Sequence, residues 1–349
     1  MTPAKPSTPA KPSIAPAVAA SGTGHYPLPI ALAGHALPWL AIIAFFFFAS
    51  GGGYLSFGTT IMIWILFAMS LDLVLGYAGI VTLGHAAYFG FGAYVAGLCS
   101  IYLTSDPLIG HAIAIVAAAV LGLVTGALIL HTTGVTFLML SLAIISMMFE
   151  FANKAKDITG GDDGLQGMKV GPIFGTFEFN LFGTTAYVYT AVVLFLWFLI
   201  AWRLVHSPFG RSLDGIRQNA RRMRAIGTPV WWRLLAVYTI SAGIAGSAGA
   251  LSAHSTRFVG LDVLSLLTSG IVTVMLILGG TRKLYGAFVG AVVYSVVQDS
   301  TAKISPNFWE FIVGGMLILT VLFLEGGLMD IGRVVRNFIA KIAKRSGVA

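Results

Sequence analysis

From residue 37 onward the chain is a succession of apolar runs separated by short polar turns. A helical crossing of a bilayer needs roughly 20 apolar residues, fewer where neighbouring helices shelter its polar ends. Ten runs meet that requirement, at about 37–51, 59–75, 79–102, 109–130, 134–151, 185–203, 234–253, 263–280, 285–300 and 308–325. Lipid offers backbone amides and carbonyls no partner, so segments of this kind close their hydrogen bonds internally. The expected fold is an all-α polytopic membrane protein with about ten transmembrane helices. Composition excludes the soluble alternative: 57% hydrophobic residues and a mean hydropathy of +0.88 are more than a globule of 349 residues could hide.

The charges say how such a bundle lies. Seven arginines, Arg203, Arg211, Arg217, Arg221, Arg222, Arg224 and Arg233, crowd into 203–233 against one acid, Asp214. A net charge of +8 would suggest nucleic acid in a soluble protein. Here the cations flank membrane spans, where the positive-inside bias puts them, and nucleic-acid binding is not expected. With the arginine loop (204–233) placed in the cytoplasm, alternation of ten spans puts the 281–284 turn (Arg282, Lys283) there too. It also puts both termini inside, the C-terminal one with Arg333, Arg336, Lys341, Lys344 and Arg345. The polar loop 152–184 then falls outside, and with Asp157, Asp162, Asp163 and Glu178 against Lys154, Lys156 and Lys169 it shows no cationic excess.

Three regions follow: 1–29, 30–330 and 331–349. The first is a Pro/Ala-rich segment with TPAKPS at 2–7 and 8–13, expected to be a disordered cytoplasmic tail because it has too little apolar surface to offset its ordering entropy. It lacks the apolar core of about 7–15 residues that a cleaved secretory leader carries. The second is the transmembrane domain, and the third a basic cytoplasmic tail. The single cysteine, Cys99, lies in an apolar run, so neither a disulfide framework nor a cysteine metal site is expected.

Residues 76–97 contain six glycines (Gly76, Gly79, Gly84, Gly90, Gly92, Gly97) and His85. A kinked or partly unwound helix is expected there, and irregular backbone at membrane depth survives only where protein or a water-filled cavity covers it. Asp72 and His85 are the ionisable side chains that fall well inside the expected spans. With Gly84 they are candidates to line a path, or to pair with each other; anchoring neighbouring helices by hydrogen bonds is the plainer reading. Small residues recur at helical spacing, Ala242, Gly246 and Ala250 on one span and Gly286 and Gly290 on another, which lets helices approach closely.

Motifs for catalysis are missing. The chain has no GxxxxGK[ST], HExxH or GxSxG, and Ser247 in GIAGSAGA reads as a small packing residue. No catalytic residue, metal or cofactor is expected. In the arginine loop, SLDGIRQNARRMRAI carries Leu213, Ile216, Met223 and Ile226 in a helical register, after Pro208 and Gly210 and before Gly227 and Pro229. By charge alone such a helix lies against anionic membrane lipid. Its length exceeds a minimal turn between spans, which points to a second protein.

Five segments in order, GYAGIVTLGHAAYFGFGAY (76–94), TGGDDGLQG (159–167), SPFGRSLDGIRQNARRMRAIG (207–227), YTISAGIAGSAGAL (238–251) and LILGGTRKLYGAFVGA (276–291), resemble the LivM-type permeases of branched-chain and hydrophobic amino acid ABC importers. The resemblance runs over most of 38–330. It implies an ABC-importer permease architecture in the bacterial inner membrane, a LivH-type second permease, two cytoplasmic ABC ATPases and a periplasmic substrate-binding protein. It implies that 207–227 docks the ATPase, with Gly210, Arg211, Asp214, Arg217, Arg221 and Gly227 in the docking segment. Family members often have an acid where this chain has Ala220, so a salt bridge from that position is not expected. Asp162 and Asp163, on the outer side, become candidates for contact with the binding protein. The competing function is an ion-coupled secondary transporter using Asp72 and His85.

Overall fold

The computed structural model describes residues 39–45, 54–173, 177, 183–304, 309–323 and 327–330. The expected tails at 1–29 and 331–349, and with them both termini, lie outside the described residues, as does most of the first expected span. Residues 1–43 and 44–349 form two compact units. In the first, 39–43 are helical; the remainder concerns the second.

Its elements are α1 (Leu55–Leu71), which continues as a π-helical turn over Asp72–Tyr77, and α2 (Ala86–Leu98), with a second π-helical turn over Cys99–Leu103. There follow α3 (Pro107–Ile129), α4 (Val135–Lys154), α5 (Thr184–His206), α6 (Pro208–Ala225) and α7 (Val230–Thr256). The last are α8 (Leu266–Gly279), α9 (Leu284–Ile304) and α10 (Trp309–Phe323). Extended pairing among the described residues is confined to two isolated bridges, Leu165 with Val259 and Ile173 with Phe177.

Among the described residues six helices are long and apolar enough to cross a membrane: α1 and α2 with their π-helical turns, α3, α4, α5 and α7. Helices α8 and α9 meet at a bend of 114° and make a seventh if the pair counts as one span. Ten were expected, and the difference falls at the two ends of the chain. The first run lies mostly outside the described residues. The runs at 263–280 and 285–300 form a bent pair, in which α8, at 14 residues, is only about 21 Å long, short of a full hydrocarbon core. The fifteen-residue α10 is similarly short.

Helix α7 is the centre of the bundle. It packs against α1, α2 and α3, and its best membrane window is 78% buried, against 22% for α4 at the periphery. The small-residue stripe makes this possible. A Cβ on Gly92 of α2 would collide with Gly246, one on Gly246 would collide with Ala118 of α3, and one on Gly122 of α3 would collide with Ala242. Backbones this close exchange dispersion contacts along the whole crossing, which is the main cohesive term between helices in lipid. Gly286 and Gly290 do the same for α9 against Gly280 and Met275 of the preceding segment.

The unwound stretch expected in 76–97 spans Ala78–His85, and regular helix resumes at Ala86. Gly79 takes a left-handed φ of 75° and ends the first helix. Gly76 lies in the π-helical turn and Gly84 in the unwound stretch, while Gly90, Gly92 and Gly97 sit inside α2.

Candidate coupling site

The arginine segment begins where α5 stops. Ser207 caps α6, its hydroxyl accepting the Gly210 N–H at 3.3 Å, and Pro208 occupies the first turn, where its missing donor costs nothing. Gly210 lies flush on the end of α5: a Cβ there would collide with the Val205 carbonyl and lie 2.6 Å from that of Leu204. The Arg233 guanidinium stands 5.4 Å over the Phe209 ring, so the exit of the segment is tied to its entry. Leu213 and Ile216 are buried, which fixes the apolar face.

The single helix expected from the register is broken at Asn219, whose backbone is extended (φ −159°, ψ 94°) and whose Oδ1 accepts the Arg222 N–H at 2.9 Å. An asparagine side chain that caps a new turn competes with continuation of the old one. The second piece folds back so that Met223 covers Gly215, and Gly227, at φ 86°, ends it. Ile226, expected on the apolar face, is 69% exposed.

The expected docking residues divide. Gly210 and Gly227 shape the turns. Arg211 and Arg221 are exposed together with Arg222 and Arg224. Asp214 and Arg217 instead bind the rest of the bundle. Asp214 forms an ion pair with Arg282 at 2.5 Å and accepts from Gln218 at 3.1 Å. Arg217 donates to the Gly76 carbonyl at 2.7 Å while its aliphatic stem covers Gly79.

Arg282 was assigned only an orienting charge by its sequence context, yet it is the hub of this end. Its backbone N–H donates to Asp72 Oδ1 at 2.8 Å, and its carbonyl accepts the Tyr77 hydroxyl at 3.1 Å. Asp72 is fully buried and ties α1 to the α8–α9 turn. His85 binds elsewhere: its Nε2 lies 2.9 Å from the Ser70 hydroxyl and 3.3 Å from that of Ser241, and its ring stacks on Phe67. Ser70 donates to the Phe67 carbonyl and Ser241 to the Ser70 carbonyl, so both hydroxyl protons are committed. The histidine is therefore assigned its proton on Nε2. Asp72 and His85 thus hold different neighbours rather than each other.

Gly84 lies against α4, where a Cβ would collide with the Ser141 carbonyl. The unwound backbone around it is satisfied from outside: Leu83 N–H reaches the Ser141 hydroxyl at 3.3 Å, and Ala86 N–H that of Ser269 at 2.9 Å.

Two further buried histidines escaped the sequence reading because each sits at the edge of an expected span. His111 bonds Ser247 at 2.9 Å, and His254 lies 6.4 Å from it, ring to ring. Ser247, read above as packing alone, also accepts the Trp197 indole N–H at 2.9 Å.

At the far end of α7, about 40 Å from α6 by its 27 residues, lies the loop holding Asp162 and Asp163. Gly160, Gly161, Gly164 and Gly167 all have left-handed φ. Leu165 bridges to Val259, Met168 is buried, and Lys169 O accepts from Ser100 at 2.8 Å. Both aspartates are exposed, Asp162 4.0 Å from Lys156.

A profile of the family described as branched-chain amino acid transport system / permease component matches residues 53–321, well over half of the chain. The chain belongs to that permease family. The high-affinity branched-chain amino acid permease protein LivM of Salmonella typhimurium strain LT2 is 25% identical over 308 residues, 80% of this chain and 71% of that protein. A probable LivM of Methanocaldococcus jannaschii is 25% identical over 73% of this chain and 87% of its own length. The autoinducer 2 import permease LsrC of Enterobacter sp. strain 638 is 31% identical over a shorter stretch, 39% of this chain and 41% of that protein. No solved structure matches. As a member of this permease family, with six or seven apolar spans among its described residues, the chain is a multi-pass membrane protein.

Proposed function

We propose that this permease is the membrane-spanning subunit of an ATP-driven importer of branched-chain amino acids or related small amino acids and amides in the bacterial inner membrane. It forms half of the translocation path beside a LivH-type permease. Two cytoplasmic ABC ATPases supply the energy, and a periplasmic binding protein delivers substrate at the loop carrying Asp162 and Asp163. The observation that carries the reading is α6 itself: a capped, amphipathic helix outside the spans, anchored through Leu213 and Ile216 and offering Arg211, Arg221, Arg222 and Arg224 outward. Cations displayed on an anchored helix suit an acidic groove on a partner. Asp72, Gly84 and His85 remain the candidates for the path nearest this helix.

Affinity purification of the full chain from native membranes tests the proposal. Two ATPases and a second permease are expected to co-purify, with ATP hydrolysis stimulated by the binding protein. Purification of the chain alone, with uptake driven by an ion gradient, would refute it.

A further inference from the structure

We propose that Arg282 is the latch through which movement of α6 reaches the unwound segment 78–85. The proposal rests on the reading of α6 as the docking helix and names the residue that connects it to the path. Arg282 has a left-handed backbone, φ 66°, in which a residue with a side chain is rare and strained. Such a conformation persists where its surroundings over-determine it, and here three bonds from two elements do. The N–H is held by Asp72 and the carbonyl by Tyr77, both on the π-helical end of α1. The guanidinium is held by Asp214 of α6.

The two ends of the unwound segment are attached to the elements joined at this residue. Its start leaves the π-helical turn, where Arg217 of α6 also grips the Gly76 carbonyl. Its end is capped by Ser269 on α8, one helix before the Arg282 turn. Helix α8 is packed backbone to backbone against α9 through Gly286 and Gly290. A displacement of α6 therefore acts on both attachments at once. Discrete repacking of such elements, rather than continuous bending, is how packed helices change state.

The three bonds of Arg282 are separable by chemistry. Two use the backbone and one uses the side chain. Arg282→Gly keeps both backbone bonds, removes the left-handed strain and cuts the tie to Asp214, and it also takes away the cationic charge near Asp72 and Tyr77. Arg282→Lys keeps a cation, and the exchange Asp214→Arg with Arg282→Asp restores opposite charges in reversed order.

The experiment reconstitutes the complex purified with the full chain and follows radiolabelled leucine uptake and ATP hydrolysis in the same vesicles. Nitroxide labels at Arg221→Cys and Lys283→Cys, in a Cys99→Ala background, report the α6-to-turn distance on the chain with or without partners. Arg282→Gly is expected to retain the ATPases and to lower uptake per ATP by about tenfold, the size of an ordinary coupling between sites, with a broadened label distance. Arg282→Lys and the charge exchange are expected to recover part of the loss. Unchanged uptake per ATP in Arg282→Gly would overturn the latch, and so would an equal loss in all three variants, which marks a folding defect. If the wild-type chain brings down no ATPase, the docking reading fails separately. The label distance then decides the latch alone: broadening in Arg282→Gly supports it, and an unchanged distribution overturns it.

Discussion

Gly249 and Gly243 are six residues apart on α7, and Gly→Ala at the two is expected to act in opposite directions. At Gly249 an added Cβ would collide with the Phe89 carbonyl and sit 2.9 Å from the Ala93 nitrogen. Both are backbone atoms of α2, so no rotamer change relieves the clash, and the helices must part by roughly 1 Å at their crossing. Overpacking of that kind costs about 1–3 kcal/mol. The lost contacts along α2 and α7 push the cost toward the upper part of that range. At Gly243 the same atom meets Ala119 Cβ at 3.5 Å and Ile115 at 3.7 Å, ordinary van der Waals distances. There alanine relieves the helix of glycine's entropy cost, a gain of up to about 1 kcal/mol. The lone Cys99, partly buried where α2 turns π-helical, is the built-in reporter: a thiol-reactive fluorophore follows unfolding of the purified chain in detergent on a temperature ramp. At about 2–4 °C per kcal/mol, Gly249→Ala should lower Tm by about 5 °C, and Gly243→Ala should leave it unchanged or raise it. Equal shifts for the two variants would refute the close α2–α7 crossing.

Ser241→Ala is expected to destabilise the chain by about 1–3 kcal/mol, since it removes one partner of His85 and takes the hydroxyl donor from the buried Ser70 carbonyl; an unaltered Tm would show that the triad contributes nothing. Gly160→Ala and Gly164→Ala place a side chain at φ 80° and 71°, the first against the Gly164 carbonyl and the second in a backbone region (ψ 169°) that glycine alone adopts readily, and should each cost about 1–3 kcal/mol locally. Faster proteolysis within 156–171 on the intact chain is the readout, and unchanged rates would argue against a built loop. Reversing Arg221, Arg222 and Arg224 to glutamate should leave the stability within about 0.5 kcal/mol of wild type, as expected for exposed positions. The same change should reduce ATPase co-purification in a salt-dependent way, and undiminished association would move the docking surface elsewhere.

Most helices of the bundle and the start of α6 were legible in the chain, because each depends on residues close together. Ser207 and Pro208 signal a helix start whatever surrounds them, and a run of apolar residues is helical in lipid without reference to any partner. The break near Gly79 was legible for the same reason, although its length, down to His85, was set by Ser141 and Ser269, more than fifty residues away. The kink at Asn219 was missed because the apolar register continues through it. The contacts that divide the expected docking residues were not legible because an arginine's charge does not say which way it faces. Arg217 and Asp214 turn to the bundle, while Arg211 and Arg221 do not.

Arg282 marks the boundary between the two kinds of information. Its sequence neighbourhood, Gly280 to Lys283, specifies a tight basic turn at a membrane edge, and local physics can say no more. Its role as a junction comes from Asp72, 210 positions earlier, and Asp214, 68 positions earlier. Those side chains reach it only because α1, α6 and the α8–α9 pair pack side by side. Membrane insertion and helicity followed from short-range chemistry that any similar chain would share. Only the tertiary packing decided which buried polar groups met, because each such pair is a contact between distant segments that a periodic apolar pattern does not encode.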